Sequence, residues 1–476
     1  SGHDPYPEAI RLDSTPSAIR AAFADLPAGT RTTHRVGIAG RLVAKRDMGG
    51  LCFGVLRDFD GEIQLLLHTG GLGHERMVDF KRMVDLGDHV TVQGAVITSR
   101  HGELSVDVSS WQLAAKCLHP LPDKRKGLTD PEARVRQRYL DLMMNARSRE
   151  MLTLRSAVIR SVRDYLHGLY YLEVETPMLQ SVHGGANARP FVTHMNAYDM
   201  RLYLRIAPEL YLKRLCVAGV DRLFELNRNF RNEGVDAAHN PEFTMVEAYQ
   251  AYGDYRSMRT LVRELIQSTA RRVHGAEVAR LIGGHGRPEE VDLSGEWPVV
   301  TVYDAVSAAL GTRVSTETGA AVLLNHCRAA GVEARPDASA AELVLAAYEQ
   351  LVEANTVLPT FYTDFPAEVC PLTRPHAATP ALAQRWDLVA FSAEIATAYS
   401  ELTDPRLQRA RLAEQSFKAA SGDVEAMELD EEFLRALEYG MPPTGGFGMG
   451  IDRLVMMLTG ASIRQAVTFP FLRERS

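Results

Sequence analysis

Between residues 35 and about 116, apolar and polar positions alternate in short runs interrupted by Gly and Asp, at 36–42, 52–56, 63–67, 89–96 and 104–108. A period of two marks half-buried strands, and five of them in succession predict a small closed barrel. Residues 74–86, between the third and fourth strand, are predicted helical. An amphipathic helix is expected over 15–23, with Ser14-Thr15-Pro16 as its cap and first turn. A longer one is expected over 145–167, where Met151, Leu154, Val158, Ile159, Val162 and Leu166 follow helical spacing. Helical stretches continue at 256–273, 302–310, 320–330 and 339–353, with 283–291 read as a surface loop, and strands return from Thr360. The pattern predicts an α+β chain with a barrel domain over 1–118, a basic, proline-bearing linker over 119–144, and a second domain over 145–476. The second domain carries a helical insertion at about 256–355.

One predicted hairpin, 225–249, breaks the rule that buried strands carry apolar side chains. Arg228, Arg231, Glu233, His239, Glu242 and Glu247 all lie on it. Such charges cost several kcal/mol unless they are paired or meet a ligand. A structural ion-pair ladder would satisfy them as well as a ligand would. Further on, Asp387, Glu394 and Glu401 recur every seven residues. The Val, Phe, Ile, Tyr and Thr around them favour a hairpin over a helix, and clustered carboxylates repel unless a cation holds them.

A length of 476 residues requires more than one core, and 46% hydrophobic with 24% charged residues is a globular composition. The formal net charge of −7 gives no global pull toward nucleic acid. RNA binding would therefore rest on local basic patches, 41–46 and 116–136. Five scattered cysteines without a Cys-x-x-Cys suit a reducing compartment and offer no zinc site. No apolar run approaches the ~20 residues of a membrane span.

The string Phe230-Arg231-Asn-Glu233 followed by His239-Asn-Pro-Glu-Phe243 resembles motif 2 of the class II aminoacyl-tRNA synthetases, and specifically the lysine enzymes. Tyr171-Leu-Glu-Val-Glu-Thr-Pro177 is similar to motif 1, and Thr444-Gly-Gly-Phe-Gly-Met-Gly-Ile-Asp-Arg453 to motif 3. Ala207-Pro-Glu209-Leu-Tyr-Leu-Lys and Tyr399-Ser-Glu401 resemble segments that line the lysine pocket. The resemblance spans nearly the whole chain in the right order. It implies an N-terminal OB-fold barrel that reads the anticodon, and a catalytic domain built on an antiparallel sheet flanked by helices. The implied partners are ATP, L-lysine, a lysine tRNA and a second copy of the chain, with Mg²⁺ as cofactor. Carried over by resemblance, Arg231 and Arg453 are catalytic, and Glu233, His239 and Phe243 join them around ATP. Gly185, Glu209, Glu247, Tyr249, Thr397 and Glu401 would bind lysine, and Asp387 and Glu394 the metal. Arg46, Phe53, Gln64 and Glu103 would face the anticodon, although Phe53 taken alone also reads as a core aromatic.

Three positions depart from the family pattern: Thr397 stands where Asn is usual, Asp387 where Glu is, and Ala238 where bacterial relatives often carry Arg. With Val369-Cys-Pro-Leu-Thr-Arg-Pro-His376, they resemble a branch in which the synthetase is fused behind a membrane transferase that lysylates phosphatidylglycerol. The chain opens Ser1-Gly-His-Asp-Pro-Tyr-Pro, where relatives carry a preceding helix, so a fragment of such a longer chain is expected. Its location would be cytoplasmic, or membrane-tethered through that other domain. Three other readings are protein lysylation, an inactive RNA-binding synthetase, and an aspartate or asparagine enzyme. The barrel counts against the first, Arg231, Glu233 and Arg453 against the second, and the acid pocket against the third. If Phe53 stacks on an anticodon base, Phe53→Ala should weaken RNA binding by roughly 1–3 kcal/mol. It should lower tRNA charging and spare lysine-dependent ATP–pyrophosphate exchange; equal loss in both assays would remove the barrel from anticodon reading.

Overall fold

The structure is a computed structural model that describes residues 4–122, 127–236, 239–282, 288–423 and 425–473. The chain divides into two compact units, one up to Arg149 and one from Glu150 onward.

In the first unit β1 (Arg31–Asp47), β2 (Leu51–Arg57), β3 (Glu62–His68), β4 (His89–Thr98) and β5 (Leu104–Ala115) close a barrel in the order β1-β2-β3-β5-β4. Alternation places Cys52 and Leu56 of β2 and Ile63, Leu65 and Leu67 of β3 in a fully buried core. Each such side chain contributes about 1.5–3 kcal/mol. The helix at His74–Met83 ends three residues short of the 74–86 its sequence suggests. Val84 leaves helical geometry (φ −99°, ψ 118°) because its side chain enters the barrel core. Ahead of the barrel, helix Pro16–Ala22 is capped by Thr15, whose Oγ1 accepts from Ala18 N at 3.1 Å. Residues after the barrel form two short helices, Pro131–Arg136 and Arg138–Met144. Buried Asp141 accepts from Arg134 at 2.8 Å, Arg138 at 3.0 Å and Ser148 at 2.7 Å.

The second unit is built on an eight-stranded sheet. Its members are β6 (Leu172–Glu173), β10 (Arg222–Phe230), β11 (Glu242–Ala251), β14 (Val299–Thr301), β15 (Thr360–Pro366), β16 (Leu382–Ala390), β17 (Ala393–Ser400) and β18 (Thr444–Gly450), ordered β14-β15-β16-β17-β18-β11-β10-β6. Only the two outermost pairings, β14 with β15 and β6 with β10, are parallel. Three further strands, β7 (Leu179–Gln180), β8 (Phe191–Met195) and β9 (Met200–Leu204), form a small sheet beside it. Helices α1 (Ala146–Gly168), α3 (Tyr255–His274) and α4 (Ile451–Thr459) share a core with the large sheet, and α2 (Glu209–Val217) follows the small one. Val158 and Val162 of α1, Met258 and Val262 of α3, and Leu454 and Val455 of α4 are fully buried in it. A capping box at Asp254 and Ser257 opens α3, and left-handed Gly275 (φ 81°) closes it.

The insertion is less purely helical than its sequence predicts. The segment 283–291, expected as a surface loop, falls partly outside the described residues, and its remainder belongs to strand β13 (Pro288–Asp292), paired with β12 (Val278–Ile282). The charges of Pro-Glu-Glu-Val-Asp hide that strand in the sequence. Arg280 neutralises Glu290 across the ladder at 3.0 Å, and Val291 packs on the main core beside Ala279 and Leu281. The helix expected over 339–353 is α-helical at Ala340–Ala347, then loosens into a π turn at Tyr348–Val352.

A buried ion pair joins the two sheets. Arg205, just past β9, donates to Glu225 of β10 at 2.7 Å, to Thr176 Oγ1 at 3.1 Å and to the Arg228 carbonyl at 2.8 Å. Both partners are at least 95% buried. Arg205→Met should destabilise the second unit by about 3–5 kcal/mol, because Glu225 is left buried without a cation. The double variant Arg205→Met/Glu225→Gln should recover most of that loss. Urea unfolding followed by the buried Trp297 and Trp386 gives the comparison; equal stability of single and double variants would refute it.

Candidate active site

The β10–β11 hairpin is antiparallel from Arg222↔Gln250 to Phe230↔Glu242. Its polar load divides into two kinds. Arg228 and Glu242 face solvent as an exposed pair at 3.0 Å, the bland ladder that any strand can carry. The others turn to one face of the sheet, across β11, β18 and β17.

The first cavity, about 210 Å³, is lined by Arg231, Glu233, His239, Phe243, Glu394, Thr397 and Arg453. Arg231 N is tied to the Pro241 carbonyl at 2.9 Å, and its guanidinium lies over the Phe243 ring with 5.0 Å between Cζ and the ring centroid. Its buried Nε donates to nothing among the described residues. Burial lowers its pKa, and Glu394 and Glu233 oppose that. Arg453 sits in the first turn of α4, donating from Nη1 to the Glu394 carbonyl at 2.7 Å and from Nη2 to His239 Nε2 at 3.2 Å. A guanidinium only donates, so His239 carries its proton on Nδ1 and gives it to Asp236 at 2.9 Å. Asp452 is fixed by Thr244 N at 2.9 Å and by Arg155 of α1 at 2.6 Å. Arg155 escaped the sequence reading, although a charge between Met151 and Val158 on an apolar stripe was a visible signal. The departure at Ala238 lies outside the described residues.

Of the three seven-spaced acids, two meet in one hairpin. The register β16–β17 pairs Asp387 with Thr397 and Val389 with Glu394. Thr397 Oγ1 donates to Asp387 Oδ1 at 2.7 Å, so this threonine is occupied by the other departing residue. Arg385 grips the same carboxylate with Nε at 3.0 Å and Nη2 at 2.8 Å. Burial pushes the Asp387 carboxyl up and Arg385 opposes it. Glu353 receives the Glu394 N–H at 3.1 Å and is raised by burial to about 7. Among the described residues no three His, Cys, Asp or Glu side chains form a metal cage. Mg²⁺ asks less, one or two carboxylates plus substrate phosphates. Glu394 faces the cavity, and Asp387 Oδ2 keeps a lone pair beyond its bond to Arg385, so the donor set fits such an ion.

The third acid, Glu401, lies further along the same face of the sheet, grouped with Glu209, Glu247 and Tyr249. These four are 94% or more buried. Lys213, fully buried on α2, donates to Glu209 Oε1 at 2.6 Å and stands 2.5 Å from Glu401 Oε2. The contact to Glu401 is an ion pair without hydrogen-bond alignment, and both Glu401 oxygens accept no hydrogen bond among the described residues. Tyr249 donates to Glu247 Oε2 at 3.3 Å. Burial raises the carboxyls of Glu209, Glu247 and Glu401. Two glycines make the room. Gly185 (φ 88°) presses on Glu209, whose Cβ lies 3.2 Å from where a side chain would begin. At Gly446 a Cβ would meet the Tyr249 ring at 2.6 Å and Glu401 closer still. Lys213 was missed although the i, i+4 Glu–Lys spacing was there to read.

On the barrel, Arg46 pairs with Phe53 across β1–β2, and Phe53 and Gln64 share the outer face of β2–β3. Phe53 is half-buried and takes no part in the core, whose aromatics are Phe80 and Trp111. Gln64 accepts from Ser105 at 2.8 Å, and Glu103 pairs with Arg20 at 3.2 Å. Much of the basic charge is already spent: Lys116 on Asp85 and Asp88, Arg134 on Asp141, and Arg41 and Lys45 on backbone carbonyls. The rest of the 116–136 patch includes 123–126, outside the described residues.

The family model for tRNA synthetases class II (D, K and N) matches residues 130–473, and that for the OB-fold nucleic acid binding domain matches 36–114. Among curated proteins, the chain is 54% identical over 475 residues to the lysylphosphatidylglycerol biosynthesis bifunctional protein LysX of Nocardia farcinica, covering 100% of the chain and 41% of that protein. It is 55% identical over 473 residues to the protein of that name from Mycobacterium marinum, covering 99% and 42%. The Mycobacterium avium protein is 57% identical over 436 residues, covering 92% and 37%. The chain thus spans about two fifths of the length of these relatives. No helix among the described residues is long and apolar enough to cross a membrane.

The unpartnered Arg231 fork gives a sharp expectation. A planar guanidinium can touch a phosphate and a carboxylate together, and an ammonium cannot. Arg231→Lys should therefore fail nearly as badly as Arg231→Ala in single-turnover adenylate formation, each by more than the ~10²–10³ typical of one preorganised donor. Arg228→Ala, on the exposed pair, serves as the control; near-normal chemistry in Arg231→Lys would reduce the role to charge alone.

Proposed function

The chain belongs to the class II tRNA synthetases of the D, K and N group, and we propose that within that group it is the lysine enzyme. It joins lysine to ATP as lysyl-adenylate and passes it to the 3′ end of a lysine tRNA. The observation that carries this choice is the pocket of Glu209, Glu247 and Glu401, in which buried carboxylates outnumber the single ammonium of Lys213 and Glu401 Oε1 has no donor among the described residues. Aspartate would bring another like charge, and asparagine would leave a buried acid unpaired. Only the lysine side chain ends in an ammonium. A site built to pair a buried polar group rejects substrates lacking the partner by on the order of 10⁴-fold.

In the first step the substrate carboxylate attacks the α-phosphorus, the bond to the bridging oxygen breaks, and pyrophosphate leaves. In the second, a ribose hydroxyl of the tRNA attacks the aminoacyl carbonyl and AMP leaves. Positioning and charge neutralisation suffice for both. Arg231 bridges the α-phosphate and the substrate carboxylate. It covers one face of Phe243, and adenine stacks on the other. Arg453 holds the γ-phosphate end, with Glu233 and His239 at the rim. Glu394 and Asp387 would hold a Mg²⁺ ion brought in with ATP, which would supply screening of the triphosphate charge. Glu209 takes the α-ammonium, and Glu401 and Tyr249 the ε-ammonium, with Glu247 near them. Gly185 admits the amino-acid backbone, and Thr397 lies at its carboxylate end. The barrel face around Phe53 and Gln64 reads the anticodon. Exposed Tyr170, Leu172 and Met178 support a homodimer contact through the segment that leads to Pro177. We read the chain as the synthetase module of a longer protein that supplies charged tRNA for lysylphosphatidylglycerol synthesis.

Amino-acid-dependent ATP–pyrophosphate exchange, followed by tRNA charging, tests the reading: lysine should support both, and aspartate and asparagine neither. Glu401→Gln should raise the KM for lysine by about 10- to 100-fold, the worth of one charge-assisted contact, and leave that for ATP unchanged. A loss of ATP affinity instead would assign Glu401 to the metal.

A further inference from the structure

Lys213 has no part in the scheme above, yet among the described residues it is the one ammonium inside the amino-acid pocket. It rises from α2, one turn after Glu209, and its Nζ reaches Glu209 at 2.6 Å and Glu401 at 2.5 Å. It is wholly buried, so water does nothing to solvate the charge. The other cations nearby are committed elsewhere: Arg205 to Glu225, and Arg231 to the nucleotide cavity. Among the described residues, the three buried carboxylates therefore have Lys213 as the one cation not already paired outside the cluster.

We propose that Lys213 is a built-in counter-ion of the pocket, a positioning residue that holds Glu209 and Glu401 ionised and apart and leaves the charge deficit for two substrate ammonium groups. The inference rests on the assignment of Glu209 and Glu401 to the substrate. Three carboxylates against one ammonium leave two negative charges. An amino acid with both an α- and an ε-ammonium supplies both, while its carboxylate pairs with Arg231. A monoamino acid of equal length leaves one acid unpaired. Without Lys213 the two acids would face each other in a dry site, where one of a like-charged pair takes up a proton. A protonated carboxyl is a poor partner for an ammonium. The groups that bear on Glu401 are Glu209, Lys213 and Cys216 of α2 and Tyr249 of β11, with Glu247 beside Tyr249. Of these only Lys213 favours the anion by its charge.

The alternative is that Lys213 merely packs the pocket, in which case an uncharged side chain of similar volume would serve. Lys213→Met separates the two. The variant should raise the KM for lysine by about 10- to 100-fold with the KM for ATP unchanged. Its kcat/KM for lysine should recover as pH rises from neutral to about 9. The sign follows because removing the ammonium raises the carboxyl pKa values further, so the anions needed for binding exist only at higher pH. The substrate's own ammonium groups titrate identically for both enzymes and cancel in the ratio to wild type. Lys213→Arg, which keeps the charge, should keep the wild-type pH limb. A folded Lys213→Met with wild-type lysine KM and pH profile overturns the proposal. If Lys213→Met does not fold, an alkaline-shifted limb in Lys213→Arg overturns it equally. Should the wild-type chain not activate lysine at all, the functional reading itself fails. Should Glu401→Gln raise the lysine KM while Lys213→Met does not, only the present inference fails.

Discussion

A carboxylate withdrawn from water costs several kcal/mol unless a cation reaches it, and the catalytic unit meets this demand repeatedly, four of the cases bearing on the site. Arg205 reaches Glu225 to lock the small sheet to the large one. Arg155 reaches Asp452 and so fixes the start of α4, where Arg453 projects. Arg385 grips Asp387 beside the cavity of Arg231 and Arg453, and Lys213 stands between Glu209 and Glu401. The first two are closed pairs that set geometry. The last two are under-supplied: Asp387 has Glu394 for a neighbour, and Lys213 serves two acids beside a third. The two carboxylate-rich clusters are thus built from the same contact that holds the unit together, with fewer cations than acids.

How much of this could be read from the chain depends on what kind of signal each feature leaves. The barrel strands, α1, α3 and the β10–β11 hairpin are legible because burial repeats with a fixed period. Phe53 was ambiguous for the same reason: alternation tells which residues share a face, and only closure of the barrel decides which face is inside. Strand β13 is hidden in the sequence because it is held by backbone pairing to β12 and by Val291 on the main core, while its other side chains read as a polar loop. Arg155, Arg385 and Lys213 were passed over because basic residues beside acidic ones read as solvated surface until burial is known. Glu353 left no signal at all, since it meets Glu394 only through the packing of the π turn after Ala340–Ala347.

The residues that depart from the family pattern, Thr397 and Asp387, prove to be cross-strand partners joined by a 2.7 Å hydrogen bond. A change at either would therefore alter the hydrogen bonding of the other. A shorter acid sits back from the cavity, and the threonine hydroxyl and Arg385 hold it there.

Gly446 places a limit on how this protein can diverge. Every coding change away from glycine adds at least one carbon, and at this position that carbon lands among Glu401 and the Tyr249 ring. No gradual series of side chains is open there. A larger residue can enter at this position only after Glu401 or Tyr249 has changed, so the order of substitutions here is fixed by space.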